Sequence, residues 1–318
     1  DLVVTDFQKK SRIREPSAPF ITSSLQKDAG TRFGWSSKKV MDNAQSLFAM
    51  GLITYHRTDS TRTEPSKIID LRAMIEQDHG KNYLSPAVIS YDPKGSSQDA
   101  HEAIRPTYEP EPVTLGADEQ KLLQLIKDKF MSSQMANAKF DQASVKLEYA
   151  GKDKYEFRAN GSVLQFDGFL KVYGTSSKDV MLPPMKKGTK VVVKKFLPVQ
   201  HFTKPPARFT EPAFTEAMEK SGIGRPATYA ATIETLINRK YVVRDGKALK
   251  GTEIGAMVCE YLEKYFAYLT SPNFTAAMEA EVDDIALGKL QLTVVLNKFY
   301  DDLMKTVETA KQDKSKAL

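Results

Sequence analysis

The stretch GLITYHRTDSTR, residues 51–62, places a tyrosine two positions before an arginine and beside a run of polar residues. A phenol has a pKa near ~10, so Tyr55 alone would be a poor nucleophile at neutral pH. A guanidinium at Arg57 would favour the phenolate and would also neutralise a phosphate oxygen under attack. The pair is therefore either a nucleophile with its activating cation or, since tyrosine is common in strands, a buried strand residue that pairs with Ile53 before a polar turn.

A second cluster, SSQDAHEAIRPT at residues 96–107, carries a histidine and an arginine four positions apart. If the segment is locally helical, His101 and Arg105 lie on one face. Together they could hold a phosphodiester, with His101 as hydrogen-bond donor or proton carrier. A surface turn in which Glu102 pairs with Arg105 would explain the same residues without a binding site.

A third cluster, EKSGIGRPATYAATIETLINRKYVV at residues 219–243, combines two glycines with basic and hydroxyl side chains. The glycines let the backbone approach a ligand closely. Arg225, Thr228 and free N–H groups converge on the predicted N-terminus of a helix, which is a ready anion site. Arg239 lies at the far end, basic and exposed. The pattern favours phosphate binding over a plain structural helix with a glycine-rich entry.

Two more charged segments each allow two interpretations. QHFTKPPARF, residues 200–209, interleaves basic and aromatic residues, which suits nucleic acid but also an interdomain hinge. The acidic run AMEAEVDDIALG, residues 277–288, suggests a metal site at first sight. The four-residue spacing of Glu279 and Asp283 instead fits one solvent-exposed face of a helix. We therefore predict no metal site there.

Several common catalytic motifs are absent from the chain. The sequence has no GxxxxGK[ST] loop, no GxGxxG after a strand and no GxSxG, and Arg105 stands where HExxH would need its second histidine. The sequence thus gives no support to nucleotide use through a P-loop, a dinucleotide-binding fold, a serine hydrolase or a zinc protease.

The composition is that of a soluble globular protein. The chain has 318 residues, of which 41% are hydrophobic and 27% charged, enough for two or three domains. A net charge of +6 permits a polyanionic partner without requiring one. No apolar run approaches the ~20 residues of a membrane span. The lone cysteine, Cys259, is predicted to be a buried structural thiol in a reducing, cytoplasmic setting.

Hydrophobic periodicity and turn residues predict the elements that must position these clusters. The first is a helix capped by Ser36 or Ser37 and ended by Gly51, and the short strand LITY at 52–55 follows it. Next come a helix at 64–79 capped by Thr63, a loop at 81–116 and a helix at 117–135. Strands are predicted between 141 and 199, and helices from 207 onward with a hairpin turn at Asp245–Gly246. A helix followed by a hairpin resembles a winged helix, which many DNA-binding proteins use.

Several long motifs occur here in the order and rough spacing of type IA DNA topoisomerases, and the chain resembles that family over nearly its whole length. The motifs are PFITSSLQ at 19–26, GLITYHRTDSTR at 51–62, AHEAIRPT at 100–107, HFTKPPARF at 201–209, GIGRPATYAATIETLINRKYV at 222–242 and FTAAMEAEVDDIALG at 274–288. HEAIRPT and the RTDST turn look more like bacterial topoisomerase I than topoisomerase III. LITYHRTDST is also similar to the corresponding stretch of reverse gyrase, which shares this core.

The resemblance implies an α+β multidomain fold. A helical lid domain at 15–140 would carry the tyrosine, and residues 1–14 with 141–200 would form a β-rich arch on which the lid swings. Residues 201–310 would form a mainly helical, winged-helix-like domain lining the DNA groove, followed by a flexible tail at 311–318.

The resemblance also implies roles for individual residues. Tyr55 matches the tyrosine that attacks a single-stranded DNA phosphodiester and holds the 5′ phosphate, and Arg57 matches the arginine beside the scissile phosphate. Asp59 would hold the turn in shape. The positions that match DNA contacts are Gln45, His101, Arg225, Thr228 and Arg239. The implied activity is strand cleavage, strand passage and religation, which relaxes negative supercoils without ATP.

Part of the family pattern is missing from this sequence. Neither the Toprim domain, with its metal-binding acids and its glutamate general acid, nor a DxDxE pattern is found, and a single cysteine excludes zinc ribbons. We therefore expect Mg²⁺ to be bound by the Toprim portion of the complete enzyme and no metal to be bound by this chain. The chain is expected to bind single-stranded DNA without relaxing supercoils alone.

The expected partners are DNA and the Toprim portion of the same protein. We expect a monomer at the bacterial nucleoid with no membrane association. Three alternatives stay open: the core of a reverse gyrase or topoisomerase III, a non-catalytic winged-helix-like DNA-binding module, and a tyrosine-using phosphotransferase on small substrates.

Overall fold

A computed structural model describes residues 2–91, 101–108, 114–149, 151, 155–174 and 178–312, so parts of the predicted loop at 81–116 and most of the predicted tail lie outside the described residues. The chain divides into two units built from alternating segments. The first unit comprises Asp1–Pro19, Thr61–Ser96 and Leu123–Pro205, and the second comprises Phe20–Ser60, Ser97–Leu122 and Pro206–Leu318. The predicted lid, arch and groove boundaries stay predictions.

Helices predominate along the chain, and antiparallel strands lie among them. The helices are α1 (Thr22–Phe33), α2 (Ser37–Ala49), α3 (Pro65–His79), α4 (Ala117–Ser132), α5 (Leu170–Tyr173), α6 (Glu211–Lys220), α7 (Tyr229–Asn238), α8 (Glu253–Tyr265), α9 (Ala267–Thr270), α10 (Pro272–Ala286) and α11 (Leu292–Gln312). The strands are β1 (Leu2–Arg14), β2 (Ala138–Tyr149), β3 (Glu156–Phe166), β4 (Lys190–Val191), β5 (Val242–Asp245) and β6 (Ala248–Gly251). None of the helices in the described ranges is long and apolar enough to cross a membrane.

The first unit contains a four-stranded antiparallel sheet in the order β3-β2-β1-β4. β1 pairs with β2 from Leu2 opposite Tyr149 to Arg14 opposite Ala138, with an irregularity between Val4 and Asp6. The alternating side chains of the strands bury a small core of Leu2, Val4, Val145 and Leu147. A second core joins α3, α4 and α5 through Leu71, Ile75, Phe130, Met135, Ala138, Phe169 and Leu170.

The second unit holds its site-bearing segments on helices that pack together. The side chains of Leu25, Val40, Ala44 and Leu47 from α1 and α2 are fully buried. Ser36 caps α2 by accepting a hydrogen bond from Lys39 N at 3.2 Å, as predicted. Met218 of α6 forms a further core with Tyr229 and Ile233 of α7.

The predicted hairpin is confirmed, but its turn lies one residue later than the predicted Asp245–Gly246. β5 and β6 pair from Val242 opposite Gly251 to Asp245 opposite Ala248, so the turn residues are Gly246 and Lys247. Gly246 has a φ of 59°, a left-handed conformation that costs glycine nothing. The hairpin directly follows α7, which is the helix-and-hairpin order expected of a winged-helix-like segment.

Three local predictions are wrong. LITY forms no strand of its own and contributes only the isolated bridge between Ile53 and Pro106. Glu64 rather than Thr63 caps α3, since its side chain accepts from Lys67 N. Cys259 is exposed rather than buried. α8, which carries it, has no buried residue in this structure, so its apolar positions are only partly covered.

Candidate active site

The predicted site residues all fall within the second unit: Gln45, Tyr55, Arg57, Asp59, His101, Arg225, Thr228 and Arg239. The segment that carries Tyr55 is joined to the segment after His101 by hydrogen bonds. Thr54 N donates to Arg105 O at 2.9 Å, and Thr54 Oγ1 donates to Ala103 O at 2.7 Å and accepts from Arg105 N at 2.9 Å. Residues 101–107 are therefore extended and not helical, because their backbone groups pair across to residues 52–54.

This pairing brings the first two predicted clusters together. The ring centroid of Tyr55 lies 5.5 Å from that of His101 and 5.4 Å from that of Phe48. Tyr55 is 40% exposed, whereas Ile53 is 2% exposed. The interpretation of Tyr55 as a buried strand residue is thus wrong. Its phenol is accessible to a large substrate and has an imidazole beside it.

Arg57 joins the first cluster to the third. Its side chain is exposed and lines a cavity of about 230 Å³ within the second unit. The cavity is also lined by Lys38, Met41 and Asp42 of α2 and by Pro226, Ala227, Ala230, Ala231 and Glu234 at and after the start of α7. A cation therefore faces a space that Pro226 and Ala227, which directly follow Arg225, also line. Gln45 is exposed on α2, one turn beyond Asp42 on the same face.

The turn that follows Tyr55 is organised by the start of α1. Thr22 Oγ1 donates to His56 O at 2.8 Å and accepts from Thr58 N at 2.9 Å, while Thr22 N donates to Thr58 O at 2.9 Å. Thr58 Oγ1 in turn accepts from Ser60 N at 3.0 Å. These hydrogen bonds fix the backbone on which Tyr55 and Arg57 are presented. The role predicted for Asp59 in this turn stays a prediction.

His56 is a buried neighbour of Tyr55 that the sequence patterns did not single out. Its side chain is fully buried, and neither ring nitrogen has a hydrogen-bond partner among the described residues. Burial, followed by the charge of Arg57, lowers the pKa of His56 to about 4. The imidazole is therefore neutral near pH 7 and packs edge-on to Tyr55 and tilted against Phe48, with centroids 5.5 Å and 5.7 Å away.

Arg105 does not take part in an open phosphate site. It is buried, and its Nη2 donates to Glu102 Oε2 at 2.8 Å. The pairing of Glu102 with Arg105, considered above as the alternative to a site, is confirmed, although both groups are more buried than a surface turn implies. His101 is the member of this cluster that faces Tyr55.

The third cluster forms a tight turn before α7. Gly222 and Gly224 have φ values of 70° and 74°, which favour glycine. Arg225 N donates to Thr228 Oγ1 at 2.9 Å, and Thr228 N donates to Arg225 O at 2.8 Å. The hydroxyl of Thr228 thus closes its own turn and holds Arg225 at the helix start. Arg239 is exposed at the opposite end of α7.

Arg225 and Tyr229 lie in an acidic environment. Arg225 Nη2 donates to Asp283 Oδ2 at 2.6 Å. Partial burial lowers the pKa of Arg225, but the hydrogen bond and charge of Asp283, with Glu279, outweigh it and leave the pKa raised. Burial is the main cause that raises the pKa of Tyr229 to about 12, and the negative charge of Glu219 is the second. The charges of Asp59 and Glu279 raise the pKa further, whereas the positive charge of Arg225 opposes the rise. Tyr229 is therefore a buried phenol and no rival to Tyr55 as a nucleophile.

The acidic side chains do not form a metal site. Within the described ranges, no group of three or more His, Cys, Asp or Glu side chains is placed to hold a metal ion. Glu279 and Asp283 share a helix face as predicted, but that face meets Arg225. The residues that the structure describes therefore offer no cluster that fits Mg²⁺.

Comparison with known proteins adds to this geometry. A family model described as DNA topoisomerase matches residues 1–297. DNA topoisomerase 1 of Vibrio cholerae is 41% identical over 318 residues, which cover 97% of this chain and 36% of the relative. DNA topoisomerase 1 of Pseudomonas aeruginosa is 42% identical over 302 residues, which cover 93% of this chain and 34% of the relative.

A solved structure supports the same relationship. The structure of full-length topoisomerase I from Thermotoga maritima matches with a TM-score of 0.81 and 31% identity, over 100% of this chain and 53% of that chain. The chain thus spans little more than a third of the curated relatives and about half of the solved one. The predicted mixed α/β fold of the type IA enzymes is confirmed. With both family model and structure in agreement, the chain belongs to the DNA topoisomerase family and is similar to bacterial topoisomerase I.

Proposed function

We propose that this chain supplies the tyrosine side of an active site that cuts and reseals one DNA strand. Tyr55 Oη attacks a phosphodiester of single-stranded DNA and loses its proton. A bond between the tyrosine oxygen and the 5′ phosphate forms, the bond to the 3′ oxygen breaks, and that oxygen takes up a proton. The reverse reaction reseals the strand. Because one phosphoester replaces another, no ATP is consumed.

One observation carries the proposal, namely the exposed phenol of Tyr55 beside the imidazole of His101, with a cation two residues further along the chain. His101 lies beside the ring, and Arg57 follows two residues later on a backbone held by Thr22. An arginine next to the scissile phosphate offsets the charge that builds up on phosphorus in the transition state. A nearby neutral or charged imidazole can donate to the same phosphate or carry a proton.

The same unit offers contacts for the rest of the strand. The cavity beside Arg57 and the turn at Arg225 and Thr228 suit backbone phosphates, and Gln45 and Arg239 extend the track along α2 and α7. Single-stranded DNA is the proposed substrate, as the similarity to the topoisomerase I relatives implies. Contacts to phosphate make such binding depend on salt.

We assign the remaining chemistry to the parts of the relatives that lie outside the region matched by this chain. We place the Mg²⁺ site and the general acid there, in a Toprim portion, and we place strand passage in a lid, about 15–140, that moves on a β-rich arch. On this proposal the enzyme relaxes negative supercoils at the bacterial nucleoid, and the 318-residue chain binds strands without relaxing them.

Covalent capture tests the proposal. A 3′-labelled single-stranded oligonucleotide is incubated with the chain, with and without Mg²⁺, and separated on a denaturing gel beside Tyr55→Phe. A labelled adduct formed by wild type alone supports Tyr55 as nucleophile. Salt-dependent retention without an adduct, equal for both proteins, supports strand binding but leaves cleavage to the complete enzyme. The absence of both an adduct and retention of the strand would overturn the proposal for this chain.

A further inference from the structure

The guanidinium of Arg225 is held by carboxylates from a helix far along the chain. Its Nη2 donates to Asp283 Oδ2 at 2.6 Å, and its Nη1 lies 3.7 Å from Glu279 Oε2. Nη1 also donates to the carbonyl oxygen of Gly224 at 2.8 Å. A guanidinium is a rigid planar fork, so contacts to both terminal nitrogens fix its orientation as well as its position.

Helix α10 is built to bring these carboxylates to the turn. Ala276, Glu279 and Asp283 are spaced three and four residues apart and so share one face. A Cβ added at Gly222 would meet the Cβ of Ala276 at 3.3 Å, so this face packs closely on the glycine turn. Small residues at that contact let the short side chain of Asp283 reach the guanidinium.

The neighbouring acid of the same helix has a different partner. Asp284 accepts from Lys289 Nζ at 3.1 Å, and both side chains are substantially exposed. Asp283 and Asp284 therefore carry the same charge at adjacent positions but differ in whether they touch Arg225. The pair separates the effect of charge from the effect of orientation.

Charge alone would disfavour this arrangement at a DNA-binding surface. Two carboxylates beside one arginine leave the local charge negative, which repels phosphate. Their benefit must therefore be geometric. An arginine that is already ordered loses less side-chain freedom when it binds, and only two of its five N–H groups are used in the hydrogen bonds described.

We infer that Asp283, assisted by Glu279, is a positioning residue that presents Arg225 to a phosphate of single-stranded DNA. The inference rests on the proposed function, in which Arg225 contacts the strand. Asp283 does not touch the substrate; it holds the guanidinium so that the remaining N–H groups are ready for a phosphate oxygen.

The matched variants Asp283→Asn and Asp284→Asn test this. Each removes one negative charge with almost no change of shape. Binding of a fluorescent oligothymidylate is followed by anisotropy over a range of salt concentrations. We expect Asp283→Asn to weaken binding about five- to twentyfold, as residues in contact commonly couple, and Asp284→Asn to leave it unchanged or slightly tighter. In an Arg225→Gln background, Asp283→Asn should have no further effect.

A measurement without DNA keeps the two proposals apart. In ¹⁵N spectra of arginine side chains, a clamped guanidinium rotates slowly and gives separate Nη signals. We expect these for Arg225 in wild type and Asp284→Asn, and their loss in Asp283→Asn. Tighter binding by Asp283→Asn, equal binding by both variants, or a freely rotating Arg225 in wild type would overturn the inference. If Arg225 rotates slowly but the protein binds no DNA strand, the proposed function is contradicted. Asp283 would then have no role in DNA binding.

Discussion

The imidazole of His101 lies 5.5 Å from the phenol ring of Tyr55, centroid to centroid, with 38° between the ring planes. The contact joins two segments that are distant in the sequence, and the hydroxyl of Thr54 links them by bonding to Ala103 and Arg105. The position of the two rings therefore depends on the hydrogen bonds between the two segments and not on the ring contact alone.

Replacement of His101 should impair strand cleavage more than strand binding. We expect His101→Ala to lower the yield of covalent adduct about ten- to a hundredfold, because the phenol loses the imidazole proposed as its proton carrier. The adduct is measured on denaturing gels, in whatever form of the enzyme supports cleavage. His79→Ala serves as control, since the ring of His79 contacts Tyr83 in the first unit. Equal losses in both variants would contradict the role of His101.

Arg57 should respond differently to the loss of charge and to a change of shape. We expect Arg57→Ala to weaken strand binding and to reduce the slope of log affinity against log salt by about one. Arg57→Lys should keep that slope but lose adduct, because a lysine ammonium lacks the two-pronged geometry of a guanidinium. A salt slope that is unchanged in Arg57→Ala would show that Arg57 contacts no phosphate.

The second unit should lose stability on acidification through His56. Its pKa is lowered to about 4 in the folded chain from 6.5. Between these values the unfolded chain binds more protons, so the free energy of unfolding rises with pH from about 4 to about 6.5 and is constant above. The loss at low pH amounts to at most about 3 kcal/mol.

Urea unfolding at several pH values measures this effect. The only tryptophan of the chain, Trp35, lies in the second unit and reports its unfolding by fluorescence. His56→Met removes the titrating group while keeping an apolar side chain of similar size, so its stability should depend less on pH over this range. The same pH dependence in wild type and variant would assign the acid loss to other groups.

The glycine turn before α7 should not tolerate a side chain. A Cβ at Gly224 would lie 3.1 Å from Thr228 Oγ1 and 3.3 Å from the Tyr229 ring, on a backbone with φ of 74°. We expect Gly224→Ala to destabilise the second unit by about 1–2 kcal/mol and to weaken strand binding. Gly251→Ala is the control, because nothing lies within 4 Å of its added Cβ. Comparable losses in urea unfolding would contradict this account.

Local patterns predicted the elements well wherever the determining residues are close in sequence. The Ser36 cap and the spacing of Val40, Ala44 and Leu47 predicted α2, and the Asp-Gly dipeptide predicted the hairpin. LITY carries the composition of a strand, yet it pairs with residues 103–107 only through an isolated bridge. Whether such a segment forms a strand depends on the partner segment as well as on its own composition.

Contacts between distant segments were beyond the sequence patterns. Glu279 and Asp283 were correctly placed on one helix face, but nothing near them indicates that the face meets Arg225. The burial of His56 likewise depends on packing against Phe48 and on the hydrogen bond between its backbone and Thr22. Thr22 lies 34 residues earlier, at the start of α1. Local sequence patterns indicate the candidate side chains, whereas tertiary packing decides which partners they contact.

The alternation of the two units along the chain has a consequence for biosynthesis. The chain passes from one unit to the other five times, at 19/20, 60/61, 96/97, 122/123 and 205/206. α1 packs with α6, so Lys27 meets Glu216 only after nearly two hundred residues have been made. At ~5–20 residues per second, the segment around Tyr55 waits ~7–30 s on the ribosome before α6 and α7 emerge. The proposed active site is thereby left unassembled until the last third of this chain has been translated.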